Sequence, residues 1–147
     1  MFIRYLTAWL ALSGVAMASD PMTAEEFRAL TEGYTLHVED ESGDHFGSDQ
    51  FPGDNRSIWL PSGGSECLNG VWAPVEDKIC FLYESGDLSC WQVFRESPEN
   101  GPETVRFHAV PVTDDAENEA PEANTALVLR LTKRDKRPVV CSEGAGV

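Results

Sequence analysis

Four cysteines are the residues whose type and spacing most clearly define a chemistry in this chain. In an exported protein an even number of cysteines is typical of disulfide bonds, and four cysteines allow three pairings. Cys80 and Cys90 lie in two apolar segments on either side of a Ser-Gly-Asp turn, in which glycine can adopt a positive φ. If the loop is 84–86, Cys80 faces Cys90 across the hairpin, within bonding distance. We therefore expect this bond and a second one between Cys67 and Cys141.

The three histidines could act as bases or as metal ligands. His37 and His108 occupy polar positions of alternating segments, where a solvent-facing imidazole is expected. His45 follows an acidic loop and could join three carboxylates in a calcium site. These carboxylates are Asp40, Asp44 and Asp49. Because the group lacks the D-x-[DN]-x-[DN]-G register of a known calcium loop, and because no zinc spacing such as C-x-x-C is present, we expect neither a metal nor another cofactor.

Sequence motifs of catalysis are also lacking. There is no G-x-S-x-G elbow, and Ser62 and Ser65 lie in a glycine-rich turn with no histidine nearby in the sequence. The glycines between them lack the lysine and the helix of a phosphate loop. Paired carboxylates for glycoside hydrolysis depend on spacing in three dimensions. The sequence therefore favours a protein that is not an enzyme, with a hydrolase as the least favoured alternative.

Large aromatic residues are concentrated in the middle of the chain, and most of them are expected in a core. Neighbours such as Val71 and Trp72, or Cys90 and Trp91, must point to opposite faces of a strand. Part of the aromatic set should therefore line a barrel interior or an outer face, where it could bind a ligand or a partner. The candidate binding residues are Trp59, Trp72, Tyr83 and Trp91.

One short helix is predicted at the start of the region that follows residue 18. Thr23 and Glu26 fit a capping box, in which each side chain bonds the backbone N–H of the other. Phe27 and Leu30 form one apolar face, and Gly33 stands where a helix ends in the left-handed conformation.

The remaining segments indicate short strands separated by Gly, Pro and Asp. In chain order they are 34–38, 58–60, 71–72, 78–83, 88–94, 104–112 and 126–131, with a turn at 74–77. No helix-length segment separates them, which favours an antiparallel meander of about seven strands that forms a small barrel or a sandwich. We expect a single β-rich domain over 19–147, with a mobile acidic loop at 114–124.

Several motifs resemble those of small secreted or periplasmic bacterial proteins of unknown function. They are the G-V-W run at 70–72, the I-C-F-L-Y run at 79–83, the C-W-Q-V-F run at 90–94 and the Cys141 tail. The similarity extends to the helix at 23–33 and to Gly47, Phe51, Arg56 and Trp59, but not to the acidic loop. The resemblance implies a secreted β-rich domain with paired cysteines, and it implies no reaction.

The first eighteen residues resemble an export signal. Arg4 supplies the positive start, 5–15 is an apolar run too short to span a bilayer, and 16–18 is an A-x-A cleavage site. We expect the mature protein to begin near Ser19 and to be periplasmic or secreted.

The net charge is −14, from 25 acidic and 11 basic residues. Such a charge repels nucleic acid and anionic membrane surfaces, and it favours a basic protein as a partner. We therefore expect an exported, non-enzymatic binding or interaction module, for example an inhibitor of a cationic hydrolase. The alternative is a small-ligand carrier with a lipocalin-like barrel, which requires a cavity of about 300 Å³ or more. Neither the partner nor the oligomeric state follows from the sequence.

Overall fold

The computed structural model describes residues 19–112 and 127–142 of the chain. The predicted export signal at 1–18 and the acidic segment at 114–124 lie outside the described residues. Within the described ranges the chain forms one helix and eight strands. These are α1 (Ala24–Thr31), β1 (Thr35–Glu39), β2 (His45–Gln50), β3 (Arg56–Pro61), β4 (Leu68–Val75), β5 (Lys78–Tyr83), β6 (Leu88–Glu96), β7 (Thr104–Val110) and β8 (Val128–Asp135).

The eight strands form a closed antiparallel barrel in chain order, and β8 pairs with β1 to complete it. Closure leaves no strand with an unpaired edge. The predicted mainly β meander is confirmed, and the structure decides for the barrel over the sandwich. Several details differ from the prediction: β2 was not foreseen, β3 and β4 are longer than 58–60 and 71–72, β7 ends at Val110 rather than at residue 112, and β8 begins at Val128 rather than at residue 126.

Helix α1 closes one end of the barrel. The Thr23 hydroxyl accepts the backbone N–H of Glu26 and the Glu26 carboxylate accepts that of Thr23, so the predicted capping box is confirmed. Phe27 is fully buried, with its ring edge-on to Phe51, Trp72 and Phe81. Burying one such side chain stabilises the fold by about 2–3 kcal/mol. Among the residues described, no helix is long and apolar enough to cross a membrane.

A meander places alternate connections at opposite ends of the barrel. The connections 51–55, 76–77 and 97–103 lie with α1 at what we call the closed end. The connections 40–44, 62–67 and 84–87 lie at the other end, which we call the open end. The open end has no helix across it in the part of the chain that the structure describes.

Two tight hairpins set the register of β4, β5 and β6. Tyr83 donates its N–H to the carbonyl of Asp87, and Gly86 has a φ of 91°, which confirms the predicted loop at 84–86. The predicted turn at 74–77 is wrong in its limits. β4 continues to Val75, which pairs with Lys78, so that the turn consists of residues 76 and 77 only.

Both predicted disulfides are present, Cys80–Cys90 and Cys67–Cys141. Cys80 and Cys90 are directly opposite each other on the outer face of β5 and β6. Cys141 belongs to a C-terminal strap, residues 136–142, that runs along the outside of the barrel from the closed end to the open end. Its backbone bonds Thr35 through Arg137, Gln50 through Val139 and Ser65 through Ser142. Thr35 and Gln50 pair with each other beside the closed end, and Ser65 lies in a loop of the open end.

Candidate ligand-binding site

A cavity of about 210 Å³ lies inside the barrel between the closed end and the open end. Its walls are mainly apolar, and its aromatic members are Phe46, Phe51, Trp59, Phe81, Tyr83, Trp91 and Phe107. Leu68, which is 36% exposed, and the exposed Asp87 stand at its rim. Since both rim residues adjoin loops of the open end, the cavity opens to solvent there.

Strand alternation directs most of the aromatic rings inward. Trp59 is on the same face of β3 as the buried Ser57, and Trp91 is on the same face of β6 as the buried Val93. The Phe46 side chain reaches the barrel interior through a β-bulge instead of regular alternation. Val38 pairs with Gly47 and Glu39 pairs with His45, so Phe46 is the extra residue of a β-bulge. A bulge re-aims the side chain it carries, and the Phe46 ring lies 6.0 Å from that of Trp59.

Two glycines leave room for the rings of Trp59 and Tyr83. A Cβ atom on Gly47 would collide with the Trp59 ring, and one on Gly70 would lie 2.8 Å from the Tyr83 ring. Real Cβ atoms do not approach other atoms so closely. The Trp59 ring can therefore pack against β2, and the Tyr83 ring against β4, only because those strands have a glycine at these positions.

Asp49 is the most unusual residue of the cavity wall. It is half-buried because one side of it faces the cavity, and Ser57 Oγ donates a hydrogen bond of 2.7 Å to its Oδ1. Burial raises the pKa of Asp49 to about 7, although the bonds from Ser57 and from the Ile58 backbone act in the opposite direction. None of the ion pairs among the described residues includes Asp49.

Other polar groups lie near this carboxylate. Burial and the negative charge of Asp49 both raise the pKa of the Tyr83 phenol, which therefore stays protonated and can donate a hydrogen bond. The indole N–H of Trp91 donates to Ser89 Oγ at 2.8 Å, and both residues line the cavity. The site thus combines an aromatic wall with one carboxylate, hydroxyl groups and an accessible mouth.

The open end is strongly acidic. The three connections of this end that the structure describes in full contain six carboxylates and no lysine or arginine: Asp40, Glu41, Asp44, Glu66, Glu84 and Asp87. Basic residues are found instead at the closed end, for example Arg28 in α1 and Lys78 beside the β4–β5 turn. A ligand that approaches the mouth of the cavity meets a negative potential.

Three of the four predicted binding residues are brought together by the structure. Trp59, Tyr83 and Trp91 are half-buried and line the cavity. Trp72 does not belong to this group. It is 4% exposed and lies beneath α1, with its ring 5.0 Å from that of Phe27, because the core at the closed end needs large side chains.

The sequence prediction missed Phe46, Ser57 and the role of Asp49. The inward positions of β2 are Gly47 and Asp49, followed by Phe51, so no apolar alternation in the sequence indicates this strand or places Asp49 in the barrel. The residues considered for a calcium site, where no metal was expected, do not come together, because Asp49 points into the barrel while Asp40 accepts backbone N–H groups of its own loop. Within the described ranges no group of three or more potential ligands could hold a metal ion.

A second group of polar residues lies on the outer face of the barrel. His37 Nδ1 is 2.8 Å from Ser48 Oγ, and His37 Nε2 is 3.3 Å from Asp135 Oδ2. These are the residue types of a hydrolase triad. However, Ser48 is only 7% exposed, and the group adjoins neither the cavity nor its mouth, so the geometry does not present this hydroxyl to a substrate.

Comparisons of the chain with models of protein families, with curated proteins and with solved structures find no match. The resemblance to small secreted bacterial proteins therefore stays a prediction, and the site has to be interpreted from its own geometry.

Proposed function

We propose that this protein is an exported binding protein that holds a small, ring-sized ligand inside its barrel and catalyses no reaction. The observation that carries the proposal is the cavity of about 210 Å³, walled by aromatic rings and open at one end. Concave, mostly apolar pockets with a few polar groups are the usual form of small-molecule sites. This supports a carrier over a purely structural barrel, but the cavity is smaller than the roughly 300 Å³ that the lipocalin-like alternative from the sequence requires.

The size of the cavity limits the ligand. Drug-sized ligands need about 300 Å³ or more, and the volume here is about 210 Å³. A cavity of about 150 Å³ holds benzene. The ligand we propose is therefore one ring with a few further atoms, which is smaller than the ligands of typical lipocalins.

The compartment is part of the proposal. Two disulfides indicate an oxidising environment, and the export signal predicted at 1–18 agrees with a periplasmic or secreted protein. A carrier in that location would meet its ligand outside the cytosol.

Calorimetric titration with benzyl alcohol, a neutral single-ring probe, tests the proposal. We expect sub-millimolar binding, which is in the range for so small a ligand. Leu68→Trp should narrow the mouth and weaken binding at least about tenfold. Leu88→Trp is the matched control, because Leu88 is 48% exposed on the outer face. The proposal is wrong if the wild type does not bind, or if the two variants weaken binding equally.

A second candidate function is supported by an exposed aliphatic row on the outer face. Val71, Leu82 and Leu88 are directly opposite one another across β4, β5 and β6 and are 52%, 50% and 48% exposed. Such a row could contact a protein partner. The net charge of −14 favours a basic one, which includes the cationic hydrolase named above.

Affinity capture from the native exported fraction tests this second function. A basic partner should be retained by the wild type and by Leu68→Trp, should be lost with Leu82→Lys, and should dissociate as salt is added. Retention that is indifferent to Leu82→Lys would exclude the aliphatic row as the interface.

A further inference from the structure

We infer that the ligand of this cavity is a small organic cation, a single ring or a compact alkyl body bearing a protonated amine or a quaternary ammonium, with its charge beside Asp49. The inference rests on the proposed function, because it names the ligand class of the same cavity. Four features of the described residues carry it.

The first feature is the carboxylate without a counter-ion. Asp49 accepts bonds only from neutral donors, the Ser57 hydroxyl and the Ile58 backbone N–H. A half-buried charge without an ionic partner is costly, and proteins usually provide such a partner. A cationic ligand would complete the site, since none of the described residues that line the cavity carries a positive charge.

The second feature is the aromatic surroundings of that carboxylate. Asp49 is directly opposite Trp59 in the β2–β3 register, and its charge acts on the phenol of Tyr83. Tryptophan and tyrosine faces attract cations through their ring quadrupoles, and aromatic cages with a nearby carboxylate are typical of ammonium recognition. The same rings would hold the apolar body of the ligand.

The third feature is the acidic open end. Asp87 stands at the rim of the cavity, and the loops 40–44, 62–67 and 84–87 carry no lysine or arginine. Arg130, on the outer wall near the first of these loops, is paired with Glu39. The negative potential at the mouth would concentrate cations and repel anions.

The fourth feature is the lining itself, which disfavours an anionic ligand. Among the residues that the structure describes, no lysine, arginine or histidine lines the cavity, and Asp49 is the one charged group in its interior. A carboxylate or phosphate ligand would be placed beside a like charge in a mainly apolar pocket. A neutral ligand that accepts a hydrogen bond from Tyr83 remains as an outcome of the test.

Three probes of nearly equal size separate these ligand classes: benzylamine, benzyl alcohol and benzoate. Calorimetric titrations at pH 8 keep the amine protonated and leave most of Asp49 ionised. We expect benzylamine to bind at least about tenfold more tightly than benzyl alcohol, and benzoate to bind least. Asp49→Asn should remove the preference for the amine and keep the affinity for the alcohol within about twofold.

Asp54→Asn is the matched control. It makes the same change of charge at the closed end, and Asp54 has a φ of 53°, which asparagine tolerates. This variant should retain the full preference for benzylamine. Melting curves of all three proteins show whether each is folded, and if Asp49→Asn does not fold, the ranking of the probes by the wild type decides alone.

The outcomes of these titrations distinguish a failure of the cation inference from a failure of the proposed binding function. If the wild type binds benzyl alcohol as tightly as benzylamine, the cation inference is overturned while the binding function stands. The inference is also overturned if Asp49→Asn keeps the preference for the amine. If no probe binds, both the inference and the proposed function are overturned.

Discussion

The two ends of the barrel use the same alternation of strands for opposite purposes. At the closed end the inward strand residues include apolar side chains that are almost completely buried, such as Trp72 at 4%, Ile79 at 2% and Val93 at 0% exposure. Around the cavity the inward residues Trp59, Tyr83 and Trp91 are only half-buried, and Asp49, one residue from the closed-end terminus of β2, lines the same cavity. The difference indicates that stability is concentrated at one end, which leaves the other end able to hold a cavity and an unpaired carboxylate.

Removal of the disulfide that joins the strap to the open end should destabilise the protein most. Cys67 and Cys141 are 74 residues apart, against 10 for Cys80 and Cys90. Loop-closure entropy predicts that Cys67→Ser with Cys141→Ser lowers the free energy of unfolding by about 4.5 kcal/mol. Urea denaturation of the oxidised proteins measures this loss.

The matched control for that disulfide is the double variant Cys80→Ser with Cys90→Ser, for which the same model predicts a smaller loss of about 2.7 kcal/mol. Removal of the Cys67–Cys141 bond should also speed dissociation of benzylamine, because Leu68 at the cavity rim is next to Cys67. A smaller loss for the long-range bond than for the short-range one would contradict this assignment.

The second prediction compares the two ends directly. Phe27→Ala should destabilise the protein by about 3–5 kcal/mol, since it leaves a void among Phe51, Trp72 and Phe81. Trp59→Ala removes a larger side chain but one that already faces an open cavity, so its cost should be less. Equal losses in urea denaturation would mean that the open end is as tightly packed as the closed end.

The third prediction concerns Asp49 and pH. Because burial raises its pKa from 3.8 to about 7, the folded protein binds this proton more tightly than the unfolded chain does. The resulting stabilisation is complete below about pH 4 and is lost as the pH rises through 7. Asp49→Asn lacks this dependence, so it should equal the wild type near pH 4 and exceed its stability by about 1–3 kcal/mol at pH 8.

Urea denaturation at a series of pH values measures the difference between Asp49→Asn and the wild type. The other titratable groups of the cavity are Tyr83, whose raised pKa keeps it neutral throughout, and the exposed Asp87 at the rim. A difference that does not change between pH 4 and pH 8 would contradict the position of Asp49 in a desolvated wall. Binding of benzylamine should change in the opposite sense and strengthen over the same interval.

Local sequence signals were sufficient for much of the scaffold. Gly86 and the two apolar segments around it determine the β5–β6 register, and that register alone brings Cys80 opposite Cys90. Thr23 and Glu26 likewise determine where α1 begins. These predictions succeed because each depends on residues that are close in the chain.

The candidate site depended on contacts between distant residues, and there the predictions were incomplete. β2 was missed because its inward residues are not an apolar series: Gly47 is small to accommodate the Trp59 ring, and Asp49 is a carboxylate bonded by Ser57 of β3. Period-two hydrophobicity cannot indicate a strand whose inward residues are small or polar because they contact residues of a neighbouring strand. The sequence prediction also grouped Trp72 with Trp59. Strand alternation shows that both side chains point inward, but it does not show which end of the barrel each one lies near.

Loss of the N-terminal cap of α1, at the closed end, should reduce the stability of the protein least. Thr23→Ala removes the hydroxyl that accepts the Glu26 N–H at 3.2 Å, and loss of such a cap costs about 1 kcal/mol. Glu26→Gln is the control, because glutamine can still bond the backbone N–H of Thr23. Since the cavity opens at the other end, Thr23→Ala should lower the urea midpoint without changing the affinity for benzylamine. A weaker affinity in this variant would mean that α1 supports the cavity, and that the two ends do not act independently.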